Sequence, residues 1–369
     1  MSKSEDISKE KLYNRYKLFI SISEMVLGLL FLGVIVFTGF SHTIETWIGQ
    51  YFNNNYLILI GFMATISLMD FILTFPLSWF SGYYLEHKFE LSNQTFGEWI
   101  WEKTKGIFIA VPIGLILLLI FYFLLRNFPT YWWAIMATVM FLFSVLLSRL
   151  APVLIFPLFY DFEELEDAEL ANKVKQLCNQ VGLKLKGVFQ FNLSKNTKKG
   201  NAAFTGIGKS KRVILGDTML EKLNQEEILG VLSHELGHYD KNHLWKGIGL
   251  SMILTYLGLF LVSMIYNQMY PMIAESHYTI AALPLLGILL SLYNFITSPI
   301  SNAYSRKNER EADDFAVELT ENKEAFISGL KKLSKQNLSD PNPHPLAVFF
   351  YYSHPPMKER LDRLKTEKE

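Results

Sequence analysis

Cysteine is almost missing: Cys178 is the only one in 369 residues, so no internal disulfide can form and the framework is not disulfide-built. Its helical-looking surroundings predict a small buried helix residue. An excess of either charge is missing too. The 35 Lys plus Arg cancel the 35 Asp plus Glu, which leaves no global basic field for a nucleic-acid backbone or an acidic partner. Nucleic acid is not an expected partner. Charge altogether is scarce at 19%, whereas half the residues are hydrophobic and 15% aromatic. In a chain long enough for two soluble domains, that balance points to a membrane protein. Repeats and low-complexity tracts are absent. No small-residue cleavage pattern follows the first apolar run, and its 23 residues exceed a signal-peptide core. The charged leader MSKSEDISKEKLYNRYK is therefore expected to precede a retained membrane anchor.

What the chain does have is long apolar runs. A bilayer crossing needs about 20 helical residues, and six stretches qualify: Leu18 to Phe40, Tyr56 to Phe80, Gly106 to Leu125, Tyr131 to Leu150, Gly247 to Tyr266 and Ile280 to Ile300. Their connectors differ in charge. The leader holds Lys3, Lys9, Lys11, Arg15 and Lys17, and the loop from Ser81 to Lys105 holds Lys88, Lys103 and Lys105; the alternate connectors hold only Arg126. The positive-inside rule then puts both termini in the cytoplasm. The expected organisation is four crossings in residues 1–150, a cytoplasmic α/β segment in 151–246, two crossings in 247–300 and a cytoplasmic helical segment in 301–369. Glu24 and Asp70 lie inside crossings and suit either cavity-facing positions or paired structural ones.

Within 151–246, Glu164 to Val181 has helical spacing, while Gly187 to Leu193 and Arg212 to Asp217 are short β-branched or aromatic runs. Asn201 to Ile207 is a third run, and the turn chemistry of Gly208 to Lys211 predicts a hairpin over Asn201 to Asp217, beside the strand at Gly187. Asn224 then caps a helix with Glu226 and Glu227 in its first turn. That helix carries His234, Glu235 and His238 as H-E-x-x-H. At about 100° per residue the histidines lie about 40° apart on one face and can share one Zn²⁺ per chain. Zinc lowers a water pKa from about 16 to about 7 and polarises a carbonyl; Glu235 is placed to take the water proton and pass it to a leaving amine. With eight histidines in the chain, the expected number of chance matches is only about 0.01.

A catalytic zinc usually takes three protein ligands and keeps a fourth position open. His243 follows His238 by five residues, about 140° away around a continuous helix, so it is expected to miss the ligand face. The run SRKNEREADDFA offers Glu309 and Asp313 on one helix face at i, i+4. Glu309 can complete the site and Asp313 can accept an N–H from a ligand histidine. On spacing alone Glu311, Asp313 and Asp314 compete with Glu309, and an ordinary solvated charged helix remains open.

Taken together the blocks HKFELSNQTFGEW, IFPLFYDFEELEDAEL, GNAAFTGIGKSKRVILGDTML, HELGHYDKNH, SRKNEREADDFA and YYSHPPMKERLDRLK resemble the type 1 CAAX prenyl endopeptidases, integral-membrane zinc metallopeptidases of the gluzincin kind. The resemblance implies that Glu309 is the third ligand. It implies a mainly α fold, a polytopic membrane helix bundle or ring around a water-filled chamber, with a small cytoplasmic α/β zinc-peptidase domain. Eukaryotic relatives carry one further N-terminal helix, so the chamber wall is expected to be less complete here. The block at Asn201 and Ala202 corresponds to one lying along the cleft, where an extended peptide adds to an edge strand and Asn201 holds a substrate carbonyl; read without the resemblance, Asn201 is an ordinary strand-start residue. His354 and Arg360 correspond to positions near the site, one of them stabilising the oxyanion or orienting the ligand carboxylate. A capping histidine and a snorkelling arginine are the alternatives.

The functional expectation is a membrane-embedded zinc metalloendopeptidase cutting near the C-terminus of prenylated or otherwise membrane-associated polypeptides. Its partners are a peptide or protein substrate and the lipid bilayer. Its site faces the cytoplasm, in the cell membrane of a bacterium or the endoplasmic reticulum of a eukaryote. Membrane-protein quality control is the rival within the enzyme class. A transporter or receptor with a structural zinc is the rival outside it, disfavoured because structural sites are usually closed by four ligands, often cysteine.

Overall fold

The computed structural model describes residues 3–206 and 211–366. Six helical stretches among them are long and apolar enough to cross a membrane: Lys9–Phe37, Asn55–Lys88, Phe96–Asn127, Trp132–Leu158, His243–Met272 and Ile280–Thr320. Each coincides with one of the six apolar runs. The first helix, α1 (Lys3–Phe37), stops before the expected Phe40 because Gly39 takes a left-handed φ of 77°. Phe40 instead opens α2 (Phe40–Gly49), a ten-residue helix inside what reads as a connector.

Short α2 has a packing role. It buries Ile44 and Ile48 against Leu59 and Phe62 of α3 (Asn55–Trp79), in a cluster that also takes Tyr122 and Leu125 of α5 (Phe96–Asn127) and Trp132 of α6 (Trp132–Leu150). α4 (Leu85–Lys88) lies between α3 and α5. The Glu45 carboxylate accepts the N–H groups of Ile280 and Ala281 at 3.2 and 3.0 Å, satisfying donors at a helix start that would otherwise be orphaned. Further along the crossings little is internal: only 11% of the most apolar window of Phe96–Asn127 is buried, and none of that of Trp132–Leu158.

The α/β segment lies beyond α6. Its sheet has the order β1-β2-β4-β3, with β2 (Gly187–Phe191) parallel to β4 (Arg212–Gly216), and β1 (Phe162–Glu164) and β3 (Ala202–Thr205) as antiparallel edges. The hairpin forms beside the Gly187 strand as expected, in register Ala202 to Leu215; Ile207 and the turn residues Gly208, Lys209 and Ser210 lie outside the described residues. β1 was not expected. It takes Phe162 to Glu164 into the sheet, so helix α7 starts later, at Ala168–Gln180, capped by Asp167. Val213 and Leu215 of β4 pack against Leu170, Val174 and Cys178 of α7 and against Ile228, Leu232 and Leu236 of α9 (Gln225–Asp240). Each such fully buried Leu contributes about 1.5–3 kcal/mol. Cys178 is fully buried there, and burial pushes its thiol pKa up to about 12, which suits a packing residue.

After the short α8 (Asp217–Leu220) and α9, the chain re-enters the apolar bundle through α10 (His243–Met269), which packs on α11 (Leu283–Thr320). The expected boundary at 300/301 falls inside α11. Charge begins there, but no helix stop does: the helix runs on until Glu321, which has a left-handed φ of 49°. One continuous helix thus joins a membrane crossing to the charged run at Glu309. The chain ends in α12 (Lys323–Gln336), α13 (Pro345–Tyr351) and α14 (Met357–Thr366).

Candidate metal centre

Helix α9 is fixed at its start by a capping box. The Asn224 side chain accepts the Glu227 N–H at 2.9 Å, and the Glu227 carboxylate accepts the Asn224 N–H at 2.8 Å. Glu227 also accepts from Ser328 Oγ at 2.6 Å and Lys332 Nζ at 2.7 Å, which ties α9 to α12. Two glycines then allow close approach. A Cβ on Gly230 would lie 2.9 Å from the Phe326 Cα of α12, and one on Gly237 would lie 2.9 Å from the Ala312 Cα of α11. Gly237 directly precedes His238, and Ala312 lies three residues beyond Glu309. The glycine contact therefore sets how closely these two ligand candidates meet.

His234 Nε2 lies 3.2 Å from Glu309 Oε2, His238 Nε2 lies 3.3 Å from Glu309 Oε1, and the two Nε2 atoms are 3.2 Å apart. One ligand atom from each residue falls in a group no wider than 4.8 Å, the spacing of a shared metal ion. The fit to a cation has two grounds. Glu309 Oε2 is buried and makes no well-formed hydrogen bond, with His234 Nε2 facing it at 3.2 Å, and a cation supplies what that oxygen lacks. Zinc bonds of about 2.0–2.2 Å put tetrahedral neighbours about 3.3–3.6 Å apart, close to the separations seen. Two imidazoles and a carboxylate are also the nitrogen and oxygen donors that zinc takes in open catalytic sites.

Each imidazole is held from behind. His234 Nδ1 lies 2.8 Å from Oδ1 of the fully buried Asp313. Arg360 in turn donates to Asp313 from Nε at 2.9 Å and from Nη2. Burial alone would lower the His234 pKa, but the carboxylates of Asp313 and Glu309 beside the ring outweigh it and push it up to about 9. His238 Nδ1 lies 3.0 Å from His243 Nδ1, and His243 Nε2 lies 3.0 Å from Glu311 Oε2. His243 stays outside the ligand trio, but not for the reason the helix wheel gives. α9 ends at Asp240, Asn242 takes φ 56°, and α10 restarts at His243, so the ring is carried back against His238. This supporting role, and that of Glu311, was not legible in the spacing. The other competitor, Asp314, pairs with Arg363.

Glu235 faces a cavity of about 770 Å³ that Asn201, Ala202, His354 and Arg360 also line. Its pKa lies above the ordinary carboxylate value because burial outweighs the nearby His234 and His238, a shift in the direction a general base needs. His354 is 64% exposed, with Nε2 3.4 Å from Glu309 Oε1 and Nδ1 3.0 Å from Ser353 Oγ. Arg360 was expected near the site, to stabilise the oxyanion or orient the ligand carboxylate; two of its donors meet Asp313, which lies behind His234. Ala202 belongs to edge strand β3, and Asn201, immediately before it, accepts the Gly216 N–H through its main-chain carbonyl at 2.9 Å.

Residues 164–368 match the model of peptidase family M48, and residues 1–161 match that of the CAAX prenyl protease N-terminal region, five membrane helices. The chain is 32% identical to the uncharacterized metalloprotease YhfN of Bacillus subtilis, over 99% of this chain and 87% of that protein. It is also 32% identical to CAAX prenyl protease 1 of Saccharomyces cerevisiae, over 82% of this chain and 71% of that one. The crystal structure of S. mikatae Ste24p superposes with a TM-score of 0.87 at 29% identity, covering 98% of this chain and 90% of that chain.

Proposed function

The chain belongs to peptidase family M48, and on that premise, which makes it a multi-pass membrane metalloendopeptidase, we propose that its metal is zinc and its substrates are C-terminal segments of prenylated or otherwise membrane-associated polypeptides, cut on the cytoplasmic face. One observation carries the reading: a His₂Glu cluster whose carboxylate rides on a membrane-crossing helix and whose cavity runs along a free strand edge. A substrate anchored in the bilayer reaches such a site without leaving the membrane.

In this reading His234, His238 and Glu309 hold the zinc, which supplies Lewis acidity to a water and to the scissile carbonyl. Asp313 with Arg360 fixes the His234 ring, and His243 with Glu311 fixes that of His238, each setting which nitrogen is free to bind metal. Glu235 takes the proton of the attacking water and delivers it to the leaving amine. His354, exposed beside Glu309, donates a hydrogen bond to the oxygen where charge develops. The main chain of Ala202 pairs with the extended peptide, with the Asn201 side chain beside it.

The test is hydrolysis of a farnesylated CAAX peptide, its unprenylated counterpart and an unfolded membrane protein by the purified protein. The farnesylated peptide should be cut fastest. Equal cleavage of the unfolded membrane protein would favour quality control instead.

A further inference from the structure

The cavity that begins at the metal ligands reaches the N-terminal helix α1, where Lys17 lines its wall. There Lys17 Nζ lies 2.6 Å from Glu86 Oε1, and Lys199 Nζ lies 3.0 Å from Glu86 Oε2. Tyr13 OH donates to Glu86 Oε1 at 2.7 Å and accepts from Lys199 Nζ at 3.0 Å. Two ammonium groups thus share one carboxylate, leaving the cluster one positive charge in excess. Neither lysine is sealed in: their side chains are 31% and 33% exposed. Away from the ligand cluster, the other charged residue lining the cavity is Asp340, whose Oδ1 accepts the N–H of Asn342 in its own loop.

The direction of β3 says what this cluster faces. Because the Asn201 carbonyl bonds to Gly216 in the sheet, the alternation of an antiparallel ladder sends the N–H and C=O of Ala202 to the free edge. A peptide added there antiparallel, the slightly stronger pairing, runs its C-terminus back past Ala202 and Gly200 towards Lys199. A C-terminal segment of substrate running that way ends in a free α-carboxylate, the complement of the surplus cation.

We propose that Lys17, with Lys199 and Glu86 behind it, binds the terminal carboxylate of the substrate, so that the protease measures its cut from the C-terminus. This rests on the C-terminal substrate reading above and adds a specificity residue to it. Charge-assisted pairing predicts a preference for acid over amide of at least about tenfold. A lysine that only staples α1 to the strand loop would affect stability and leave that preference alone.

The experiment uses the full-length protein and four peptides, farnesylated or not, each as free acid and as C-terminal amide. Wild type should show an acid-to-amide ratio in kcat/KM of about ten or more. Lys17→Arg should keep it and Lys17→Gln should bring it near one. Equal cleavage of acid and amide by wild type overturns the proposal whatever the variants do, and so does a ratio that survives in Lys17→Gln. Loss of the farnesyl preference with the acid preference intact, and still dependent on Lys17, refutes the prenylated substrate and supports the carboxylate site.

Discussion

Gly237→Ala inserts a single methyl group where α9 crosses α11. The new Cβ would sit 2.9 Å from the Ala312 Cα, 3.2 Å from the Ala312 oxygen and 3.2 Å from the Phe315 Cβ, whereas ordinary contact begins at 3.4 Å. Two of those atoms are backbone, and Ala312 is fully buried, so a rotamer change cannot make room. The helices must part by about half an ångström. Overpacking of this kind costs about 1–3 kcal/mol, and the helix propensity gained over glycine returns about 1 kcal/mol. The net loss of stability is then between about zero and 2 kcal/mol. Metal affinity should suffer more, because Glu309 moves with Ala312 while ligand distances tolerate only about 0.2 Å. The expected result is at least a tenfold weaker metal affinity, by competition with a chelator, in a protein whose detergent melting temperature has barely moved. Gly230→Ala is the control, since its Cβ meets Phe326 of α12 at 2.9 Å and α12 carries no ligand. It should lower stability and keep affinity. If Gly237→Ala bound metal as wild type does, the claim that this contact sets the ligand spacing would be wrong.

Three further outcomes follow from the geometry. Glu309→Ala should abolish metal binding, whereas His243→Ala, which frees the back of the His238 ring, should weaken it only about 10- to 100-fold; metal analysis after mild chelation separates the two. Glu227→Gln should cost about 1–2 kcal/mol at neutral pH by thermal unfolding in detergent. Burial opposes the Glu227 charge, but hydrogen bonds from Lys332, Ser328 and the Asn224 N–H outweigh it and lower its pKa. The carboxylate's contribution is thus complete above the unfolded value near 4.3 and fades as pH falls through the lower folded value, so mutant and wild type should converge in acid. Single cysteines at Asn53 and Glu275 should react with an impermeant thiol reagent on intact cells while one at Lys331 stays protected, with buried Cys178 silent throughout. Labelling at Lys331 together with Glu275 would refute the six-crossing topology.

Much of this architecture was legible because its signals are strong and local. Twenty apolar residues read the same way in any context, and the Asn224–Glu227 capping box announces a helix start at the residue where α9 begins. The failures have local causes as well. Phe162 to Glu164 is too short and acidic to stand out as a strand, yet Phe162 pairs with Phe191 in the sheet. Composition changes near residue 300 without any helix stop, so a boundary read from charge cuts a continuous helix. His243 shows the limit of helical angles: one left-handed residue, Asn242, resets the wheel and brings an apparently averted ring onto His238. The pairing of Arg360 with Asp313 was not legible in the spacing, because Asp313 comes from a helix 47 residues earlier.

In the proposed chemistry His234, His238 and Glu309 hold the metal while Glu235 moves the proton. Glu235→Gln, nearly isosteric and unable to accept a proton at neutral pH, tests it with metal content and peptide hydrolysis measured on one sample. The expected result is full metal occupancy with turnover lowered by about 10²- to 10⁴-fold. Substantial turnover at full occupancy would contradict it.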